Sequence, residues 1–93
     1  MTLEDFNKLK IGDDVIVYNN LLLKKGQVVG FMDGLSSAYI DTSEKVAGKR
    51  AYGWCSIFMP NKKGLRMLYD EIDDDIDMLK DRLKDVHEML LLL

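Results

Sequence analysis

An apolar residue recurs at every third or fourth position from Leu65 to Leu93, without a break. This spacing is typical of an amphipathic helix, and at about 100° per residue the side chains fall within one arc of about 100°. We therefore expect a continuous helix of roughly 29 residues, about 43 Å long, after Pro60, with Asn61 as its N-cap. The apolar positions, here called the leucine seam, are Leu65, Leu68, Ile72, Ile76, Leu79, Leu83, Val86, Leu90 and Leu93.

From Ile76 onward the leucine seam follows the heptad repeat of a coiled coil, preceded by an eleven-residue step from Leu65. A fold of about 50 residues is too short to cover a helix of about 43 Å. We therefore expect a second copy of the chain to cover the seam from Leu65 to Leu90, most simply in a homodimer, or else a partner chain of another kind. The orientation stays open, because Asp75 and Lys80 suit a parallel pair whereas Arg82 would face His87.

Before Pro60 the apolar pattern changes to short runs separated by Gly, Asn and Ser. Thr2 is a candidate cap for a short helix that carries Leu3, Phe6 and Leu9 on one face. Four strand candidates follow, and a small antiparallel barrel or rolled sheet would protect their edges. These candidates are DDVIVY (13–18), GQVVGFMD (26–33), SAYIDT (37–42) and KRAYGWCSIFM (49–59). The predicted fold class is α+β, with residues 1–60 as the sheet domain and 61–93 as an oligomerisation helix.

The spacing of residues 11–60 resembles that of SH3-like small barrels, particularly the KOW and Tudor branches. The resemblance lies in a Gly-Asp pair that enters the first strand and in a Lys-Gly turn that leads into a Gly-x-Val-x-Gly strand, within IGDDVIVYNNLLLKKGQVVGFMDGLSSAYID. It implies a barrel, and nucleic-acid binding as a function. The leucines at 21–23 stand where those domains have a more polar loop, which predicts a hydrophobic contact or an extra short strand.

Acidic residues form a stripe on the helix nearly opposite the leucine seam. An EF-hand calcium loop is excluded, because Met78 stands where Gly is required and Lys84 where the bidentate Glu belongs. Two interpretations remain: a solvated face that keeps a leucine-rich helix in water, or a phosphate-like surface that mimics a nucleic acid. The residues of this acidic face are Asp70, Asp74, Asp77, Asp81 and Asp85.

No motif in the sequence supports catalysis, a cofactor or a metal. The only His, His87, flanks the seam, and the only Cys, Cys55, lies in a strand candidate where alternation predicts a buried or half-buried thiol on the side of Ile57. The net charge of −3 argues against indiscriminate binding to nucleic acid or to an anionic membrane. A single Cys and a first segment without a secretory pattern predict a cytoplasmic protein.

The surface that we expect to recognise a partner combines cations and aromatic rings in Lys49, Arg50, Tyr52 and Trp54, with Lys45 nearby and Tyr18, Phe31 and Tyr39 as neighbours if a barrel forms. The predicted function is a non-enzymatic protein-interaction module that self-associates and binds a macromolecular partner. In size and make-up the chain resembles accessory proteins of bacteriophages, some of which block a host enzyme. The alternatives are a regulator that binds nucleic acid through this edge, and an acidic-helix mimic of nucleic acid.

Overall fold

The computed structural model of this chain describes residues 1–34, 36–43 and 49–93. These residues form α1 (Leu3–Asn7), β1 (Asp14–Asn19), β2 (Leu22–Phe31), β3 (Ser37–Asp41), β4 (Lys49–Gly53), a 3-10 turn (Trp54–Ser56), β5 (Ile57–Phe58) and α2 (Lys62–Leu91). The strands make one antiparallel sheet in the order β4-β3-β2-β1-β5, and the sheet is not closed. The α+β class is confirmed, with an open sheet rather than a closed barrel.

Strand β1 is buried on both faces because a different layer covers each one. Val15 and Val17 belong to the main core, together with residues in and around α1. Ile16 and Tyr18 point the other way and pack with Phe58 and α2 in a second, smaller core. The run of four buried residues in β1 therefore reflects its place between two layers.

Helix α1 is short, and its start is capped as expected. The Thr2 hydroxyl accepts a hydrogen bond from the Asp5 backbone N–H at 3.1 Å. Phe6 and Leu9 are buried in the main core, whereas Leu3 is exposed. The Phe6 ring also meets the Phe31 ring edge to face, with centroids 6.0 Å apart. In this way α1 closes the main core from one side.

The first hairpin turns earlier than the sequence pattern indicated. The turn is at Asn20 and Leu21, which both have positive φ, 51° and 65°, and Asn19 pairs with Leu22 across it. Two central residues with positive φ are typical of a type I′ hairpin turn, whose twist matches that of the strands. Residues 22–25 therefore extend β2, and the predicted Lys-Gly turn before Gly26 is wrong.

Gly26 is not part of a turn, although the Lys25-Gly26 sequence predicted one. It lies inside β2, and a Cβ atom placed on it would come within 2.6 Å of Ile40 Cγ2 and 2.7 Å of the Asp41 carbonyl oxygen. Glycine in a strand often marks such a close approach of neighbouring chain segments. Gly26 is thus required by contact with β3 and not by a turn.

The last predicted strand, 49–59, is interrupted by the 3-10 turn. It cannot be continuous, because β4 and β5 lie at opposite edges of the sheet and the chain must turn a corner between them. The predicted alternation across this segment is therefore wrong for Cys55, which is exposed, although Ile57 is fully buried.

Helix α2 begins where the sequence predicted. The Asn61 side chain accepts a hydrogen bond from the Gly64 N–H at 2.8 Å. Gly64 is buried against the backbone of Met59, and Lys63 Nζ lies 3.0 Å from Asp5 Oδ2 in α1. The hydrogen bond from Lys63 is the main cause that lowers the pKa of the Asp5 carboxyl. These contacts fix the direction in which α2 leaves the sheet.

The molecule is elongated because α2 is longer than the sheet. Its radius of gyration is 16.3 Å, and its longest dimension is 53 Å against 31 and 24 Å for the other two. A compact domain of this length has a radius of gyration of about 12 Å. The second half of α2 therefore projects from the body of the protein. Among the described residues, no helix is both long and apolar enough to cross a membrane.

Candidate interaction surfaces

The leucine seam is divided into a covered part and an uncovered part. Leu68 is 6% exposed and packs against Ile16, Tyr18 and Phe58, and Ile72 lies at the border of the same core. These two predicted oligomerisation residues are thus used within one protomer. The exposed members of the seam are Leu65, Ile76, Leu79, Leu83, Val86, Leu90 and Leu93.

The exposed part from Ile76 to Leu93 is a continuous apolar strip on the projecting half of α2 and on the two residues that follow it. Leu83 is 71% exposed and Val86 51% exposed, although both occupy core positions of the heptad. Over 18 positions at 1.5 Å each, the strip is about 27 Å long. Along this length the exposed apolar side chains occupy the positions that a partner helix covers in a coiled coil.

A hydrogen bond anchors α2 to the sheet at the point where it begins to project. The Tyr18 hydroxyl donates to Asp75 Oδ2 over 2.6 Å. This bond to a carboxylate, together with burial of the hydroxyl, raises the pKa of Tyr18 to about 12. Tyr18 is buried and Asp75 half-buried, so the bond is sheltered from water. It ties the start of the projecting segment to β1.

A hollow of about 300 Å³ lies between this segment and the tip of the first hairpin. Its walls include Leu21 from the hairpin, Cys55 from the 3-10 turn, and Met78, Leu79 and Arg82 from α2. Leu21 is 55% exposed in a left-handed conformation that costs a residue with a Cβ atom about 1–2 kcal/mol. The sequence does not predict this hollow, because the hairpin tip and the helix are far apart along the chain. Asn20, a residue type that tolerates positive φ, is the local signal of the turn.

The acidic face is fully in solvent. All five of its predicted residues are exposed, and no ion pair among the described residues involves any of them. Their carboxylates run along the side of α2 away from the sheet. This placement fits a solvated face, and equally a charged surface for a basic partner.

The predicted basic and aromatic edge is only partly available. Lys49 and Arg50 are exposed on β4, an edge strand, with the Arg50 guanidinium 5.7 Å from the centre of the Tyr52 ring. Tyr52 is 6% exposed in the main core, and Trp54 packs against that core. Lys45 lies outside the described residues. The edge thus offers cations for recognition but no stacking ring from Tyr52.

Of the three aromatic residues predicted as neighbours of this edge, Tyr39 is the most exposed, at 41%, although Tyr69 on α2 is 70% exposed. Tyr39 is exposed on the outer face of β3, beside Gly30, whereas Tyr18 is buried under α2 and Phe31 packs on Phe6. His87 is exposed on the projecting part of α2. In the part of the chain that the structure describes, no three His, Cys, Asp or Glu side chains come together as metal ligands would.

Comparison with protein-family models, with curated proteins and with solved structures found no match for this chain.

Proposed function

We propose that this chain is a non-enzymatic protein-interaction module of the cytosol that forms a homodimer through the exposed part of the leucine seam. The observation that carries this proposal is the strip from Ile76 to Leu93, which has heptad spacing and is left exposed by the chain's own sheet. Heptad core positions are the ones that a second helix covers.

The energetics of the strip favour association. Complete burial of a Val, Leu or Ile side chain contributes about 1.5–3 kcal/mol. Six such positions on each protomer, already partly covered, together contribute roughly 10–20 kcal/mol on pairing. Association of two proteins costs about 4–15 kcal/mol in lost freedom of motion. The gain exceeds the cost over most of this range, so we expect a stable dimer.

Light scattering tests self-association directly. The full chain should have a mass about twice 10.7 kDa at both low and high salt, since the contact is apolar. The Leu83→Asp variant should be a monomer with an unchanged circular dichroism spectrum, because Leu83 makes little contact within the protomer. Asp81→Asn, on the acidic face opposite the seam, is the control and should remain dimeric. A monomeric full chain at high concentration would refute self-association.

The dimer would present its sheets to a macromolecular partner, and the accessory-protein resemblance suggests a target enzyme. A nucleic acid is a second candidate, favoured by the exposed pair Lys49 and Arg50 on the edge strand. Binding of this kind should weaken steeply with salt and be lost in the Lys49→Ala, Arg50→Ala double variant. Binding that is absent at low salt would remove this candidate.

The acidic face supports a third candidate, a mimic of nucleic acid that occupies a basic cleft of its target. Its carboxylates are exposed and unpaired along about 23 Å of a rigid helix. Asp77→Asn with Asp81→Asn should then weaken inhibition of a nucleic-acid-binding target. The same variant should leave dimerisation unchanged, since these positions lie away from the seam.

A further inference from the structure

We propose that the two copies pair antiparallel, with the flank of one projecting helix that carries Met89 covering the hairpin hollow of the other. This inference rests on the proposed self-association and specifies its geometry. In this arrangement Ile76 lies at the level of the second copy's Leu93, which follows the end of α2 at Leu91. Leu79 pairs with Leu90, and Leu83 with Val86.

The position of the sheet argues first for this orientation. Leu68 and Ile72 continue the leucine seam toward the start of α2, and their face is already in contact with the chain's own sheet. A parallel partner helix would run alongside α2 from its start and would need that same face. An antiparallel partner meets only the projecting part, and its own sheet lies at the far end of the helix pair.

Charge favours the same orientation. Six carboxylates lie within residues 70–77, and this stretch contains no Lys or Arg. A parallel dimer would bring twelve carboxylates together at one end. In the antiparallel register the two clusters are about 32 Å apart along the axis, at 1.5 Å per residue. That separation is well beyond the screening length of about 8–10 Å at physiological salt.

The flank of the helix that faces the hairpin hollow meets an apolar residue when the copies are antiparallel. Arg82 lies on this flank, and in a parallel pair it would face the partner's His87, although Asp75 and Lys80 would then pair. In an antiparallel pair like flanks meet, so Arg82 lies opposite Met89. Met89 is exposed and does not belong to the seam.

The hairpin tip completes the contact. Leu21, Met78 and Leu79 form apolar walls of the hollow, at the level of the helix that Met89 of the second copy would reach. The seam strip alone, about 27 Å by ~10 Å, presents on the order of 270 Å² on each protomer. Contact at two hollows enlarges the interface toward the roughly 1,000 Å² that a stable pair requires.

Spin labels distinguish the two orientations. With Cys55→Ser to remove the native thiol, a label at Asp70→Cys should give an intradimer distance of roughly 44 Å by double electron–electron resonance, at 1.5 Å per residue. A parallel pair, with helices 8–10 Å apart, would give less than about 30 Å. A short distance overturns the antiparallel arrangement but leaves self-association intact. A monomer in light scattering overturns both.

Variants on the two flanks test the contact with the hollow. Met89→Asp and Leu21→Asp should each weaken dimerisation at least about tenfold, and the double variant should be less than additive because the two sites touch. His87→Asp, on the opposite flank, is the matched control and should change the dissociation constant by less than about threefold. Equal effects at Met89 and His87 would contradict the assignment of flanks.

Discussion

At the scale of single residues, Gly64 decides how closely α2 can approach the segment before it. A Cβ atom at this position would lie 2.9 Å from both the backbone N and the carbonyl C of Met59. Gly64→Ala should therefore lower the free energy of unfolding by about 1–3 kcal/mol, despite the better helix propensity of Ala. The space around Gly53 is open, so Gly53→Ala should change stability by less than about 0.5 kcal/mol in the same urea titration.

Leu21 has a positive φ of 65°, which is unfavourable for a residue with a Cβ atom. A glycine there would relieve a cost of about 1–2 kcal/mol for a left-handed Leu, against about 0.5–1 kcal/mol of added chain entropy. We expect Leu21→Gly to raise protomer stability by up to about 1 kcal/mol in the monomeric Leu83→Asp background. Leu22→Gly, one position on in β2, should lower stability by about 0.5–1 kcal/mol. A loss at both positions would contradict the turn assignment.

Some of these residue roles were readable from the sequence. Thr2 and Asn61 are small polar residues directly before helical patterns, and both cap a helix because that role depends on neighbours within three positions. The sequence did not predict the environments of Cys55 and Gly26. Their environments depend on which strands lie next to each other, and a local pattern does not contain that information.

At the scale of elements, the Tyr18 hydrogen bond to Asp75 makes the attachment of α2 sensitive to alkaline pH. The folded pKa of about 12 lies above the ordinary value of 10, so the bond contributes fully below pH 10 and is lost as pH rises through 12. The stability advantage of the wild type over Tyr18→Phe should therefore shrink between pH 10 and 12. Denaturation of both proteins across this range measures it. A constant difference would show that the bond does not contribute.

The two halves of α2 should respond differently to the same substitution. Leu68→Ala leaves a cavity between helix and sheet and should cost about 2–5 kcal/mol of protomer stability. Leu83→Ala removes an exposed side chain and should change protomer stability by less than about 0.5 kcal/mol while weakening the dimer. Denaturation of dilute protein and sedimentation equilibrium separate the two effects. A large loss of protomer stability in Leu83→Ala would mean that the strip is covered within the chain.

At the scale of the whole molecule, self-association links folding to protein concentration. Because a dimer stabilises the folded state by mass action, the melting temperature of the full chain should rise with concentration. The Leu83→Asp variant should melt at one temperature throughout, and differential scanning calorimetry over a hundredfold range of concentration tests both. A wild-type melting temperature that does not change would argue against the dimer.

The sequence by itself determined the length and start of α2, the existence of a small antiparallel sheet and the face on which the leucines lie. These features follow from periodicity and capping, which act over a few residues. Only the tertiary structure decided that Leu68 and Ile72 pack on the chain's own sheet, that Tyr52 is buried, and that Leu21 stands beside α2. Each of these depends on how distant segments pack together. The identity of an apolar residue does not show which neighbour covers it.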